Sequence, residues 1–149
     1  MSARVTRDDR QDAAELLVRY ASGIDRRDWV RLRSCFTDDC TADYGVIGVW
    51  QSADELVEWM RATHEPCGHT MHRITNPDVE PHGDGLAARS YVDALVLFAD
   101  NRSGTRATGF YDDELVRTDD GWRIARRTFT MVLLQLVPDG TVLDLDALL

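Results

Sequence analysis

The fold is decided by the stretch from Leu86 to Leu136, which reads LAARSYVDALVLFADNRSGTRATGFYDDELVRTDDGWRIARRTFTMVLLQL. It contains three long segments rich in β-branched and aromatic residues, at positions 86–98, 105–117 and 122–136. Turn-forming residues separate these segments, so the pattern predicts an antiparallel meander of three strands.

The sequence before this stretch predicts helices. Apolar residues recur at steps of three and four from Asp8 to about Gly23, which is the pattern of one helical face. Asp28 can cap a short second helix, and Ser52 with Glu55 forms a capping box for a third helix. We therefore expect the first half of the chain to be mainly helical.

Between the helices and the meander, residues 69–76 are predicted to be extended and to end in a turn at Asn76-Pro77. His82-Gly-Asp-Gly85 indicates a tight hairpin. No repeat, linker or low-complexity segment interrupts the chain. Residues 1–149 are thus predicted to form one α+β domain, with helices first and sheet afterwards.

Composition excludes several classes of function. The 149 residues carry a net charge of −9, which disfavours nucleic acid and anionic membranes as partners. All 17 basic residues are arginines, so no lysine Schiff base, pyridoxal phosphate anchor or P-loop can exist. The charged N-terminus and three cysteines without a CxxC pair favour a cytoplasmic protein with no disulfide framework or zinc site.

Histidine is the side chain most often recruited for proton transfer at neutral pH, and the chain has four. His82 in a turn and His64 at a helix end are expected to be structural or exposed. His69 and His72 lie three apart on a predicted strand, so they point to opposite faces and cannot share one cavity. Spacing alone leaves open which of the two faces inward, and the splayed pair predicts no metal site.

Two aspartates have unusual settings. Asp25 ends the apolar face of the first helix, where it can aim inward or pair with a neighbouring arginine at the helix end. Asp93 interrupts the apolar run of residues 91–98, where it either faces a cavity or points outward on a half-exposed strand. Arg126 and Arg127 are adjacent on a strand, so one of the two is expected to point inward.

Other side chains can line an apolar pocket or serve the core. Tyr20 and Tyr44 can offer hydroxyl groups to such a pocket, although a tyrosine on an apolar helix face is ordinarily a core residue. Trp50 and Met60 are further candidates for contact with a small molecule.

Four segments together resemble a known family. They are Tyr20-Ala-Ser-Gly-Ile-Asp-Arg-Arg-Asp-Trp29, His72-Arg-Ile-Thr-Asn-Pro77, Gly109-Phe-Tyr-Asp-Asp-Glu-Leu115 and Gly121-Trp-Arg-Ile-Ala-Arg-Arg127. In this order the chain resembles a SnoaL-like member of the nuclear transport factor 2-like superfamily. The resemblance covers nearly the whole chain and implies a cone-shaped, curved antiparallel sheet closed by N-terminal helices.

The resemblance also implies a site. In the branch with scytalone dehydratase, bile acid 7α-dehydratase and hexachlorocyclohexane dehydrochlorinase, a histidine–aspartate pair lies inside the cone. The matching residues here are His72 and Asp25, and Tyr20 matches a third site position. Asp93 and Arg127 match positions where relatives carry polar cavity residues. The family assigns no role to His69.

These residues suit chemistry that begins with removal of a proton from carbon. His72 would be the base, Asp25 would orient it, and Tyr20, Tyr44 or Arg127 would stabilise developing negative charge. We therefore expect a lyase of the dehydratase type, or an isomerase or cyclase, that needs no cofactor and acts on a small, largely apolar molecule. The alternatives are a non-catalytic binding protein and a subunit of a larger oxygenase. A homo-oligomer, trimer or dimer, is expected because sheet edges and apolar surface need covering.

Overall fold

The computed structural model describes residues 4–139 and residue 146, and its N-terminal half contains three α-helices. Helix α1 spans Arg7–Asp25, α2 spans Trp29–Arg33 and α3 spans Ala53–His64. A short 3-10 helix spans Gly45–Ile47. The predicted caps of the second and third helices are confirmed, because the side chains of Asp28 and Ser52 accept hydrogen bonds from the first turns of α2 and α3.

Six strands form one sheet in the order β2-β1-β6-β5-β4-β3. The strands are β1 Phe36–Asp43, β2 Val49–Trp50, β3 Thr70–His82, β4 Gly85–Leu97, β5 Gly104–Thr118 and β6 Gly121–Val137. Neighbouring strands are antiparallel except for β1 and β6, which are parallel. The predicted meander is thus confirmed as β4, β5 and β6, and the α+β class is confirmed.

The sheet is curved and remains open. Register shifts interrupt the pairing of β3 with β4 and, twice, of β5 with β6, and such bulges bend a sheet. Strands β2 and β3 are its two edges, so the sheet does not close on itself. Helices α1 and α3 pack on its inward face, which makes the cone expected from the family resemblance.

The predicted turn at Asn76-Pro77 is wrong in one respect. Strand β3 continues through these residues to His82, and its register shifts between Thr75 and Asp78. Asn76 takes a left-handed backbone conformation with φ of 53°. The chain thus bends at Asn76, as the sequence predicts, but its pairing with β4 resumes at Asp78. The result is a bulge in one long strand rather than a turn between two.

Strand register defines the inward face of the sheet. One row across four strands consists of His72, Ala94, Ala107 and Leu134, which pair in sequence from β3 to β6. Because paired residues project to the same face, these four side chains line one level of the cone interior. The neighbouring row, towards the ends of these strands, is Thr70, Val96, Thr105 and Leu136.

Candidate active site

The centre of the candidate site is a contact between His72 and Asp25. His72 Nδ1 lies 2.7 Å from Asp25 Oδ1, and the backbone N–H of His72 donates to Asp25 Oδ2 at 2.8 Å. The hydroxyl group of Thr70 donates to the same Oδ1 atom at 2.9 Å. Asp25 is the last residue of α1 and His72 is the third residue of β3, so the pair joins a helix end to a sheet edge.

These hydrogen bonds determine the ionisation of Asp25 and the tautomer of His72. Burial alone would raise the pKa of Asp25, but hydrogen bonds from His72 and Thr70 outweigh it and hold this pKa below its ordinary value. The carboxylate is therefore ionised at neutral pH and accepts a hydrogen bond from the Nδ1–H group of His72. Nε2 of His72 is then the free basic nitrogen, on a side chain that is 7% exposed.

A second imidazole lies beside the first. The rings of His64 and His72 have centroids 5.7 Å apart. Because a carbonyl oxygen only accepts, His64 Nδ1 donates to the Met60 carbonyl at 2.8 Å, which leaves Nε2 unprotonated in the neutral ring. Burial lowers the pKa of His64 to about 4, with a smaller contribution from His72, so this ring is neutral at pH 7.

A buried cluster of three tyrosines and one arginine lies on the same side of the sheet. The hydroxyl oxygen of Tyr20 lies 3.1 Å from that of Tyr44 and 3.3 Å from that of Tyr111. The Arg127 guanidinium lies between two rings, 4.1 Å from the Tyr20 centroid and 3.9 Å from the Tyr111 centroid. Asp113 accepts two hydrogen bonds from Arg127, at 2.7 and 2.8 Å.

The tyrosines and Arg127 of this cluster carry more hydrogen-bond donors than the hydrogen bonds within the cluster use. Three hydroxyl groups carry three protons, and the two contacts between them use two. Nη1 of Arg127 also has no well-aligned hydrogen-bond partner within residues 4–139, although the guanidinium interacts with the Tyr44 hydroxyl group. One O–H group and one N–H group are thus available to an acceptor oxygen. Burial raises the pKa of each of the three tyrosines, so all three hydroxyl groups keep their protons at neutral pH.

Arg127 and Arg126 point in opposite directions, as predicted. Arg127 is fully buried, which lowers its pKa, but Asp113 together with the Tyr44 and Tyr20 hydroxyl groups outweighs burial, so it stays charged. Arg126 is 63% exposed and lies 3.7 Å from Glu114 on the outward face.

Asp93 lies on the other face of the sheet from His72, and this corrects the expectation that it faces the cavity. Its carboxylate accepts two hydrogen bonds from Arg106, each of 2.8 Å, and lies 3.2 Å from Arg73. Asp93 pairs with Arg73, the residue next to His72, and neighbours on a strand project to opposite faces. The outward alternative is the one observed, so Asp93 is not part of the candidate site.

Trp50 and Met60 lie among the aromatic and apolar side chains of the core. Trp50 packs on Trp59, with ring centroids 4.6 Å apart, and on Tyr44, at 5.5 Å. Met60 is 3% exposed. Both are therefore wall residues of the interior rather than free side chains.

The remaining histidines are remote from these contacts. His69 is exposed just before β3, and its backbone N–H donates to Asn101. His82 is exposed at the end of β3 and lies 3.9 Å from Glu114. It borders a surface depression of about 460 Å³ on the outward face, which is lined mainly by charged residues.

Large side chains cover the inward face of the sheet at one end, whereas small and exposed side chains lie on it at the level of His72. The Tyr20, Tyr111 and Arg127 side chains occupy the interior at one end, where each is buried. At the level of His72, the paired side chains are the small Ala94 and Ala107, followed by Leu134, which is 57% exposed. An apolar row therefore crosses the inward face from His72 to Leu134, and it is exposed at the Leu134 end.

Sequence reasoning missed several of these residues. His64 could have been found, because Val57, Met60 and His64 follow one another at helical spacing on a buried face. Asp113 could also have been found, since it alternates with Tyr111 and Leu115 on β5. The contact of Thr70 with Asp25 spans 45 residues, and no local pattern indicates it.

Two further observations concern ligands and membranes. Within the described ranges, no three histidine, cysteine, aspartate or glutamate side chains converge where they could hold a metal ion. Among the helices of the same residues, none is both long and apolar enough to cross a membrane.

Comparison with known proteins agrees with the architecture. The SnoaL-like domain model matches residues 5–128. An uncharacterised protein of Mycobacterium tuberculosis is 34% identical over 124 residues, which are 82% of this chain and 84% of that protein.

Solved structures show the same fold. The Kfla4162 protein of Kribbella flavida superposes with a TM-score of 0.78 at 28% identity, over 86% of this chain and 93% of that one. A type 2 hexachlorocyclohexane dehydrochlorinase, LinA, superposes with a TM-score of 0.80 at 19% identity, over 92% and 94%. With the match over residues 5–128, these findings show that the chain belongs to the SnoaL-like family of the nuclear transport factor 2-like superfamily.

Proposed function

We propose that this protein is a lyase of the dehydratase type, or an isomerase that uses the same base, acting on a small and largely apolar molecule. One observation carries the proposal: the 2.7 Å contact between His72 Nδ1 and Asp25 Oδ1. In the neutral imidazole this contact leaves Nε2 unprotonated, on the inward face of the sheet. Such a base can remove a proton from carbon without help from a cofactor.

Asp25 has two parts in this reaction. By accepting a hydrogen bond from Nδ1–H it fixes the tautomer in which Nε2 is unprotonated, and its negative charge stabilises the imidazolium that forms when Nε2 takes the proton. The second contact, from the His72 backbone N–H, fixes the carboxylate itself. The base is thus oriented before any substrate binds.

Elimination and isomerisation both build negative charge on an oxygen or on the departing group. The surplus O–H of the tyrosine cluster and Nη1 of Arg127 are suitable donors. Tyr20 lies five residues before Asp25 on α1, about 7.5 Å along the helix axis, so these donors lie within one or two helical turns of the pair.

The surroundings favour an apolar substrate. The row from His72 to Leu134 presents methyl and isobutyl side chains on the inward face, and no charged side chain occurs in that row. A charged substrate would lose its hydration there without gaining a partner. The dehydrochlorinase among the similar structures catalyses an elimination, which is consistent with this class of reaction on this fold.

The test is a substrate panel with an isotope readout. Hydroxylated ring ketones and thioesters are incubated with the protein in D2O, and proton NMR follows both dehydration and exchange of the carbon-bound proton. We expect at least one substrate to react, and His72→Ala to reduce its turnover by about 10²-fold or more. Turnover that survives His72→Ala unchanged would remove this histidine from the mechanism.

One observation favours the alternative of a binding protein without catalysis. Tyr20 and Arg127 are 1% and 0% exposed, so a ligand reaches their surplus donors only if the interior rearranges. A pure binding protein would be stabilised by members of the same panel in a thermal shift assay, with no exchange or product formation. That result would replace the lyase proposal.

We also propose that the protein works as a homo-oligomer, dimer or trimer. Exposed apolar residues lie along β6, including Val132 at 69% and Leu136 at 72% exposure. Apolar surface of this kind is commonly covered by another subunit.

A further inference from the structure

The end of α1 and the start of β3 are joined by a chain of hydrogen bonds that ends at the proposed base. Arg27 donates from Nη2 to the Gly68 carbonyl and from Nη1 to the Thr70 hydroxyl oxygen, each at 2.8 Å. Thr70 Oγ1 then donates to Asp25 Oδ1 at 2.9 Å, and the same oxygen contacts His72 Nδ1 at 2.7 Å.

Every bond in this chain has a fixed direction. A guanidinium group only donates, so the Thr70 oxygen must accept from Arg27. The single hydroxyl proton of Thr70 is then free to point at Asp25, which as a carboxylate only accepts. Asp25 Oδ1 in turn accepts a hydrogen bond from the Nδ1–H group of His72. Arg27 thus orients, through Thr70, the carboxylate that accepts the hydrogen bond from Nδ1.

The backbone of Arg27 supports a specific role for its side chain. Its φ of 57° lies in the left-handed region, at the position after the α1 cap where glycine is usual. A residue with a Cβ atom is strained there, by roughly 1 kcal/mol. Arg27 is held in this conformation while its side chain makes three hydrogen bonds, the third to the Ile24 carbonyl at 2.9 Å.

We propose that Arg27 and Thr70 are positioning residues that hold Asp25 in place and select the His72 tautomer with the proton on Nδ1. This inference rests on the proposed function, because the selected tautomer is the one that leaves Nε2 free to act as the base. Neither residue contacts the reacting atoms, and both act through Asp25.

The first experiment reads the tautomer directly in the free protein. The ¹⁵N chemical shifts of the two His72 ring nitrogens are measured at neutral pH in the wild type and in Thr70→Val, which keeps the shape of the side chain and removes its hydroxyl group. We expect a protonated Nδ1 in the wild type, and a population of the other tautomer about tenfold higher in Thr70→Val, as loss of one hydrogen bond to a charged group implies. Thr70→Ser restores the wild-type shifts.

Arg27→Gly provides an independent variant that is expected to fold. Glycine is the residue that the left-handed backbone favours, so this change relieves strain while it removes all three side-chain contacts. We expect the same change in the His72 shifts as for Thr70→Val. The matched control is Thr75→Val, the same substitution on the same strand at an exposed position, which should leave the His72 shifts unchanged.

Kinetics separate this inference from the proposed function. With a substrate found in the panel, Thr70→Val should lower kcat about tenfold with little change in KM, since it disturbs the base and not the apolar row from His72 to Leu134. If both variants keep wild-type ¹⁵N shifts, the inference is overturned, whatever the activity of the protein. If the shifts change as expected but no substrate reacts, the positioning role stands and the lyase proposal fails.

Discussion

The buried ion pair between Asp113 and Arg127 gives a sharp prediction about stability, with a matched control at the adjacent residue. Asp113→Asn removes the negative charge from a pair whose members are both 0% exposed. The two hydrogen bonds of 2.7 and 2.8 Å lose their charge assistance, and Arg127 lies between two tyrosine rings where water cannot solvate it. Breaking such a pair from one side costs about 3–5 kcal/mol.

The control is Asp112→Asn. Asp112 accepts two hydrogen bonds from Arg89 with the same geometry, at 2.7 and 2.8 Å, but it lies on the opposite face of β5. The two side chains of this pair are 42% and 54% exposed. Solvent screens the pair and replaces its hydrogen bonds, so the expected loss is about 1 kcal/mol or less.

Urea and thermal unfolding followed by circular dichroism measure both changes. For a chain of this length we expect Asp113→Asn to lower Tm by about 8–16 °C, and Asp112→Asn to lower it by no more than about 4 °C. Equal losses in the two variants would refute the reasoning, because burial is the property that distinguishes the pairs. The double change Asp113→Leu with Arg127→Met should recover part of the loss, since no charge then remains unpaired.

Three further predictions follow from burial and charge. The pKa of His64 is about 4 in the folded protein and about 6.5 in the unfolded chain, so the unfolded chain binds more protons between these pH values. We therefore expect the free energy of unfolding to fall by about 3 kcal/mol as pH falls from 6.5 to 4. Urea unfolding at several pH values measures this loss, which should be smaller in His64→Asn. Burial raises the pKa of Cys35 and Cys40 to about 11, so a thiol reagent at pH 8 should modify Cys67 first and reach the other two rapidly only in urea. Light scattering should give the mass of a dimer or trimer, and a monomer mass would contradict the expected assembly.

The strands could be predicted from sequence because local pattern and burial agree there. Residues 86–98, 105–117 and 122–136 differ from β4, β5 and β6 by only one residue at each end. At Asp93, in contrast, the sequence pattern does not predict which face of the sheet the side chain occupies. Tyr91 and Leu97, which share its face, are apolar although that face is outward, so the run is apolar on both sides and alternation cannot assign a direction.

The site was predictable only in part, for a related reason. Asp25 and His72 were selected by the family resemblance, whereas spacing left His69 equally possible. Neither residue spacing nor the family resemblance identified Arg27 and Thr70. The left-handed backbone of Arg27 is unusual for any residue other than glycine, and its hydrogen bonds reach residues more than 40 positions away.

The contact between Asp25 and the backbone of His72 also has a consequence for aggregation. Strand β3 is an edge of the sheet, and a free N–H group on an edge can pair with a strand of another molecule. Asp25 occupies the N–H group of His72, and Pro77 and Pro81 on the same strand have none to offer. A substitution that removes the carboxylate therefore both disorients the proposed base and uncovers a position for strand addition.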